Sequence, residues 1–301
     1  MSSKKSRIPS GKWSRLKPVV QDPLEEMGLP SKGDSRLQDH KTQEKYYSKI
    51  IERYMTFCAD AGQRDELLER FSSLEIQDNS APDEPDTNTL MPTRKSADAL
   101  RNSPNTKTLA TIMAALRKLR EGIVASQRAD KFAVQAYLFC IRLSVLVQQP
   151  ESYHPAILHL LRRIHPIIPL SSIELHETVS YLVLDAACRR RDFAEAYSIR
   201  LAYGLKDSKV NAALSALAHD NYIVYHRVRR AVDGHRARIM EWGTAELRLH
   251  TLKCFGSAYL GVDLDYLQTA TDSKWDELKQ NDGVGWELDG SRVTIRKLRA
   301  R

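Results

Sequence analysis

The sequence predicts a mainly α-helical protein in which an array of helical hairpins is followed by a small C-terminal winged helix with a β-hairpin. Three observations predict it. From Lys107 to Trp242 apolar residues recur at the i, i+3, i+4 spacing of amphipathic helices. Proline and capping residues cut that periodicity into segments with short connections, the pattern of antiparallel helical neighbours. Near the C-terminus three helical segments give way to two alternating runs around Asp289–Gly290, and Asp-Gly between alternating runs is a strong hairpin signal.

The elements follow in order. Residues 1–40 are poor in large apolar groups, and Lys4, Lys5, Arg7, Lys12, Arg15 and Lys17 precede the first acid, Asp22. This composition predicts a disordered basic arm, read either as an import signal or electrostatic contact, or as a solvated tail. Residues 41–76 predict a helical pair, with Tyr46, Ile50, Tyr54 and Phe57 on one stripe and Leu67, Leu68 and Phe71 on the next. Residues 77–106 carry Pro82, Pro85, Pro92 and Pro104 among Asp, Asn, Ser and Thr, which reads as a disordered linker and a domain boundary.

Residues 107–242 form the helical-repeat region. Leu109, Ile112, Met113, Leu116 and Leu119 make the first stripe. The segment from about Asp130 to Gln148 is apolar nearly all round and should be central, with Pro150 ending it. Tyr153 to His165 predicts the next helix, closed by Pro166. Ser171–Ser172 ahead of Glu174 is an N-cap signature for the following one, and Arg189, Arg190 and Arg191 suit its negative C-terminal end. Three further helices are expected over Asp192–Tyr203, Ser208–Ala218 and Asn221–Trp242. No strict repeat period is visible.

Residues 243–301 change character. Helices are expected over Ala245–Tyr259, over a short stretch with Leu264, Tyr266 and Leu267 after Gly261, and over Ser273–Gln280 from a Ser N-cap. Val284, Trp286 and Leu288 then alternate up to Asp289–Gly290, with Val293 and Ile295 beyond it and a basic tail behind. A type I′ turn, with both central residues at positive φ, is the expected connection.

Composition narrows the function classes. A formal net charge of +8 over 301 residues permits an acidic partner or nucleic acid and proves neither. Cys58, Cys140, Cys188 and Cys254 form no CxxC pair, which argues for a reducing compartment and against a disulfide framework or zinc ribbon. The N-terminal residues lack an apolar signal segment, and no apolar run is long enough to span a bilayer. A cytoplasmic or nuclear protein with no membrane contact is expected.

No phosphate-binding GxxxxGK[ST], GxGxxG, GxSxG or HExxH pattern occurs. No catalytic, cofactor-binding or metal-ligating residue is therefore assigned, and no small-molecule substrate. His154, His159 and His165 fall on different helical faces and read as solvated or capping residues. The best polar surface is the basic stretch with Arg227, Arg230 and Arg238, supplemented by Arg292, Arg296, Lys297 and Arg299 in the wing and tail. It reads either as a contact for an RNA backbone or acidic partner, or as a solvated helix face ion-paired to Asp220 and Asp233. The expected third helix of the terminal unit carries Asp272, Asp276, Glu277 and Asp282 against Lys274 and Lys279, so phosphates repel it and major-groove DNA reading is disfavoured.

A helical-hairpin array feeding a C-terminal winged helix resembles the PCI module. Within it, Ser171 to Arg301 looks most like the branch of COP9 signalosome subunit 8, a proteasome-lid subunit and initiation factor 3 subunit k. The carrying segments are Ser180–Cys188, Asp192–Tyr197, Leu252–Leu260 and Gly285–Ile295, and the resemblance covers about Lys107 to Arg301. Sac3-type PCI proteins share the layout. The resemblance implies a non-catalytic scaffold subunit whose winged helix pairs with other PCI-type subunits through its sheet. Trp286, Leu288, Val293 and Ile295 would then form the protein interface; an RNA-associated adaptor is the alternative. The zinc-binding HxH…D motif of the signalosome's isopeptidase is absent, and the basic arm and Pro-rich insert depart from the family pattern.

Overall fold

The computed structural model describes residues 22–60 and 104–296, which are mainly helical with one small three-stranded antiparallel sheet. The expected helix over Glu66–Leu74, most of the Pro-rich stretch, residues 1–21 and the tail from Lys297 lie outside those residues. No helix among the described residues is long and apolar enough to cross a membrane. The described residues divide into two compact units, residues 22–60 with 104–128 and residues 129–296.

In the first unit, α1 (His40–Asp60) packs against α2 (Pro104–Ala125). Asp39 starts α1 by accepting the Thr42 N–H at 2.8 Å. Tyr46, Ile50 and Phe57 of α1 and Leu109, Ile112, Leu116 and Leu119 of α2 are buried; each contributes about 1.5–3 kcal/mol of burial. The helix that follows the Pro-rich stretch therefore folds with the one that precedes it, where the sequence suggested a domain boundary. Closing a long insertion costs only logarithmically in its length, so two matching apolar stripes suffice to bring the helices together.

Residues 22–39, expected within the disordered arm, also differ from that reading. Leu24 and Leu37 are buried, and the Leu24 carbonyl accepts from the Tyr46 hydroxyl at 2.8 Å and from Lys118 at 3.1 Å. Gln43, itself buried, donates to the Leu37 carbonyl at 2.8 Å, and Arg128 bonds Gln43 and Glu44. Gly122 allows this approach, because a β-carbon there would stand 2.6 Å from the Leu37 carbonyl oxygen. Two isolated leucines in a polar segment carry no periodicity, so sequence pattern alone does not expose them.

The second unit begins with three successive helical hairpins, α3–α4, α5–α6 and α7–α8. Asp130 caps α3 (Lys131–Leu146), whose buried residues face nearly every direction, as a central helix requires. Pro150 occupies the first turn of α4 (Pro150–His159), which continues as one π-helical turn over Leu160–Ile164. A capping box of Ser171 and Glu174 starts α5 (Ser172–Leu184), and a second π-helical turn, Asp185–Arg189, ends it. Asp192, Asp207 and Asn221 cap α6 (Phe193–Ala202), α7 (Ser208–Ala218) and α8 (Tyr222–Ala231).

The single helix expected over Asn221–Trp242 is two. Val232 is extended and Asp233 caps α9 (Gly234–Met240) by accepting the His235 and Arg236 N–H groups. An Asp-Gly step supplies a ready N-cap, and the periodicity that spans it hides the break. Helix α9 packs on α3 and α5 and leads through a 3-10 turn into the C-terminal segment.

That segment runs α10 (Thr244–Ala258), β1 (Gly261–Asp263), α11 (Leu264–Thr271), α12 (Trp275–Gln280), β2 (Glu287–Asp289) and β3 (Arg292–Thr294). The sheet order is β1-β3-β2, all antiparallel, with Val262, Val293 and Leu288 in one cross-strand row. The core gathers Leu252, Phe255, Leu267, Trp275, Leu278 and Val293. Strand β1 is absent from the sequence reading, where Gly261 was only an interruption; three residues are too short for alternation to register. The hairpin connection also differs. Asp289 pairs with Arg292, which leaves Gly290 and Ser291 as the central residues, and only Gly290 has positive φ, at 60°. Glycine at the first central position is the type II′ requirement.

Candidate functional site

The sequence placed interaction on two features, the terminal sheet and the basic residues, and the structure treats them differently. Among the proposed interface residues, Val293 is fully buried on the central strand β3 and pairs with a strand on each side. It is part of the core, which corrects its assignment to an exposed edge. Ile295 is half-buried and its N–H donates to the Leu260 carbonyl at 2.9 Å. Trp286 is half-buried, with a ring carbon 3.7 Å from where a β-carbon on Gly256 would stand. Leu288 alone of the four is exposed, at 39%, on β2.

Strand β2 is exposed along its whole length and has β3 on one side only. Its outer edge presents backbone donors and acceptors with Glu287 and Asp289 flanking Leu288. Charges on an edge strand discourage indiscriminate pairing and favour a strand that answers them. Strand β1 is the other edge, and the adjacent Tyr259, Leu260 and Tyr266 are 43%, 49% and 47% exposed. Tyr259 and Tyr266 lean on the buried Phe255 with ring centroids 5.2 and 5.8 Å away.

Of the basic residues that are described, Arg238 is buried and Arg227, Arg230, Arg292 and Arg296 are exposed. Arg238 is 5% exposed; it donates to the Leu146 carbonyl at 3.1 Å and pairs with Glu241, a correction to its place on a solvent-facing stripe. The extended Val232 ends α8 before α9 begins, so the helical spacing that put Arg238 on the face of Arg227 and Arg230 does not hold. Arg230 lies 3.6 Å from Asp272. Arg292 stands in register between Asp263 and Asp289, so carboxylates flank its charge. Arg227 is exposed on α8, and Arg296, also exposed, donates to the Ser257 carbonyl at 2.5 Å. Lys297 and Arg299 lie outside the described residues.

Two polar clusters went unnoticed in the sequence. At the π-helical turn ending α5, the buried Asp185 accepts from Tyr153 at 2.6 Å, from Arg189 at 2.7 and 2.9 Å and from Arg190 at 3.3 Å. Burial alone would raise its carboxyl, but hydrogen bonds from Arg189 and Tyr153 hold it below the usual carboxylate range. Burial pushes the neighbouring Cys188 thiol up to about 12, which leaves it an inert hydrophobe. The second cluster joins His226, Arg229 and Arg230 of α8 to Asp272, beside an open groove of about 600 Å³ lined by residues including Asp265, Lys274 and Glu277.

His154, His159 and His165, expected as solvated or capping residues, are all half-buried. His159 stacks on Tyr137 with centroids 5.1 Å apart, and His165 Nδ1 accepts the Leu170 N–H at 3.0 Å. Among the described residues no group of three His, Cys, Asp or Glu is placed to hold a metal ion. No family model matches the chain, and no curated protein matches its sequence.

Proposed function

We propose that this chain is a non-catalytic scaffold subunit of a multiprotein assembly, of the PCI type, that docks through its C-terminal unit. The observation that carries the reading is the element order. Successive hairpins lead into helix–strand–helix–helix–strand–strand with sheet order β1-β3-β2, which is the order a winged helix requires. An exposed, acid-flanked β2 supplies an edge to which a partner strand adds by backbone pairing, the β-augmentation mode. The docking residue is then Leu288, which pairs across the strands with the buried Val293, while Trp286 and Ile295 pack against the core. An RNA-adaptor reading retains Arg227, Arg230, Arg292 and Arg296 as exposed basic groups among the described residues, with Arg230 and Arg292 each beside carboxylates that compete with phosphate.

The test is affinity purification of the full chain from cells, with mass spectrometry and sizing of what accompanies it. Stoichiometric partners that carry the same order of elements are expected, and Leu288→Asp should release them while the helical content stays unchanged. Assembly that survives Leu288→Asp would overturn edge docking. RNA affinity at low salt, lost on Arg227→Ala and Arg296→Ala, would favour the adaptor.

A further inference from the structure

Helix α8 sets His226, Arg229 and Arg230 at i, i+3 and i+4, hence on one face. All three converge on one carboxylate. Asp272 ends α11 in the left-handed conformation, φ 52°, and so turns its side chain back toward α8. Arg229 pairs with it directly, Arg230 Nη2 is 3.6 Å from Oδ1, and His226 Nδ1 is 3.8 Å from Oδ2. Beneath these ion pairs His226 is 3% exposed, and neither ring nitrogen has a hydrogen-bond partner among the described residues. The Tyr225 ring lies edge-on to it at 6.0 Å. From α10, Arg248 also faces His226, itself held by Asp282 at 2.8 Å.

The charges facing His226 are therefore Arg229 and Arg230 from its own helix, Asp272 from the α11–α12 turn and Arg248 from α10. Asp272 favours a proton on the ring; the three guanidinium groups and burial oppose it. Asp272 is already engaged by Arg229 and Arg230, so the balance falls against the imidazolium, and the folded ring titrates below its ordinary value, with burial the largest cause. A buried imidazole with no hydrogen bonds contributes nothing that an apolar ring of its size would not, and it adds a liability in acid.

We propose that His226, Arg229, Arg230 and Asp272 form an acid-released clasp that holds the C-terminal unit against α8 at neutral pH and loosens as His226 takes up a proton. The sign follows from linkage. When the clasp opens, the ring reaches water and titrates near its free value of about 6.5, whereas the closed ring binds its proton less well. The open form thus binds more protons, closure is fully favoured above that value, and it is lost as pH falls through it. The loss levels off once pH is below the closed ring's own value. Between pH 7.5 and 5.5 the opening constant rises by up to about tenfold. Opening also frees Arg229 and Arg230. The clasp stands independently of the docking proposal.

The test is hydrogen–deuterium exchange of the full chain at pH 7.5 and 5.5, corrected for intrinsic rates, with α3–α6 as internal reference. Exchange in residues 244–296 is expected to rise up to about tenfold at the lower pH relative to that reference. In His226→Phe the rise should vanish, and in Asp272→Asn the segment should exchange faster at both pH values. An unchanged 244–296 segment in the unsubstituted protein, or a full acid response in His226→Phe, overturns the clasp. Should that variant fail to fold, NMR titration of the His226 ring decides: a midpoint below 6.5 supports the clasp, and one at or above 6.5 overturns it.

Discussion

The hairpin array and the C-terminal unit of residues 129–296 are built on different scales. In the array, α3 and the second half of α5 are buried on almost every face, and Tyr137, Tyr153, Tyr181 and Tyr225 are fully enclosed. It also holds internal ion pairs: Arg142 pairs bidentately with Glu177, which also accepts from Tyr181 at 2.7 Å. The C-terminal unit has three-residue strands and helices of six and eight residues around its core, with Tyr259, Leu260, Tyr266 and Leu288 exposed, as Ile167, Ile173, Leu201 and Ile223 are in the array. A sheet this small has little independent stability and depends on what packs against it. The array is the more deeply packed of the two, and the C-terminal unit depends more on what lies against it.

The sharpest way to break this contrast is Val293→Asp. A carboxylate placed in the centre of the small core has no partner there, and the cost of about 4 kcal/mol or more exceeds what a unit of this size supplies. Residues 244–296 should lose exchange protection and Trp275 and Trp286 their buried fluorescence, with the array's helical signal retained. Loss of the array as well would show that the two regions fold as one.

The converse cut falls in the array. Asp185→Ala removes the acceptor for Tyr153, Arg189 and Arg190 and leaves partly buried guanidinium groups without it, a loss of about 3 kcal/mol. Denaturant melting should show the drop, confined to the array in segment-resolved exchange. The same carboxyl gives a pH signature. Its folded value is lowered, so its contribution is full above about 3.9, the free value, and is lost as pH falls through the lowered one. The unsubstituted protein should therefore lose array stability only in strong acid, whereas the clasp region responds near 6.5.

Legibility in sequence follows the same divide. Most of the array's helices and the Ser171 cap were readable, because long periodic stripes and capping residues are local signals. Strand β1, the centre of the sheet and the fate of Arg238 were not, since each depends on pairing between distant residues. Val293 and Leu288 read identically as alternating apolar positions; sheet order alone makes one the core and the other the rim. His226 sat unremarked within a basic stretch because Asp272, which defines its surroundings, lies on another helix.

A smaller effect sharpens the turn assignment. Gly290 sits at φ 60°, which a side chain adopts at a cost of about 1–2 kcal/mol. Gly290→Val should lower the stability of residues 244–296 by about that much, measured by denaturant-dependent exchange, while Ser291→Gly should leave it within about 0.5 kcal/mol. A gain in stability from Ser291→Gly would restore the type I′ reading, because glycine relieves a positive φ at that position.

The smallest expected effect on folding is the one that matters most for docking. Leu288 continues the Val262–Val293 row to the rim, yet 39% of it faces solvent, so Leu288→Asp removes only part of a side chain's burial, about 1 kcal/mol. The new carboxylate lies on the face opposite Glu287 and Asp289, because alternate residues of a strand point oppositely, and so meets no direct repulsion within the chain. The melting temperature should fall by only a few degrees, far less than for Val293→Asp one strand away. A large fall would mean that Leu288 belongs to the core and that β2 has no edge to offer; a small one leaves the variant folded and makes any lost assembly a property of the edge itself.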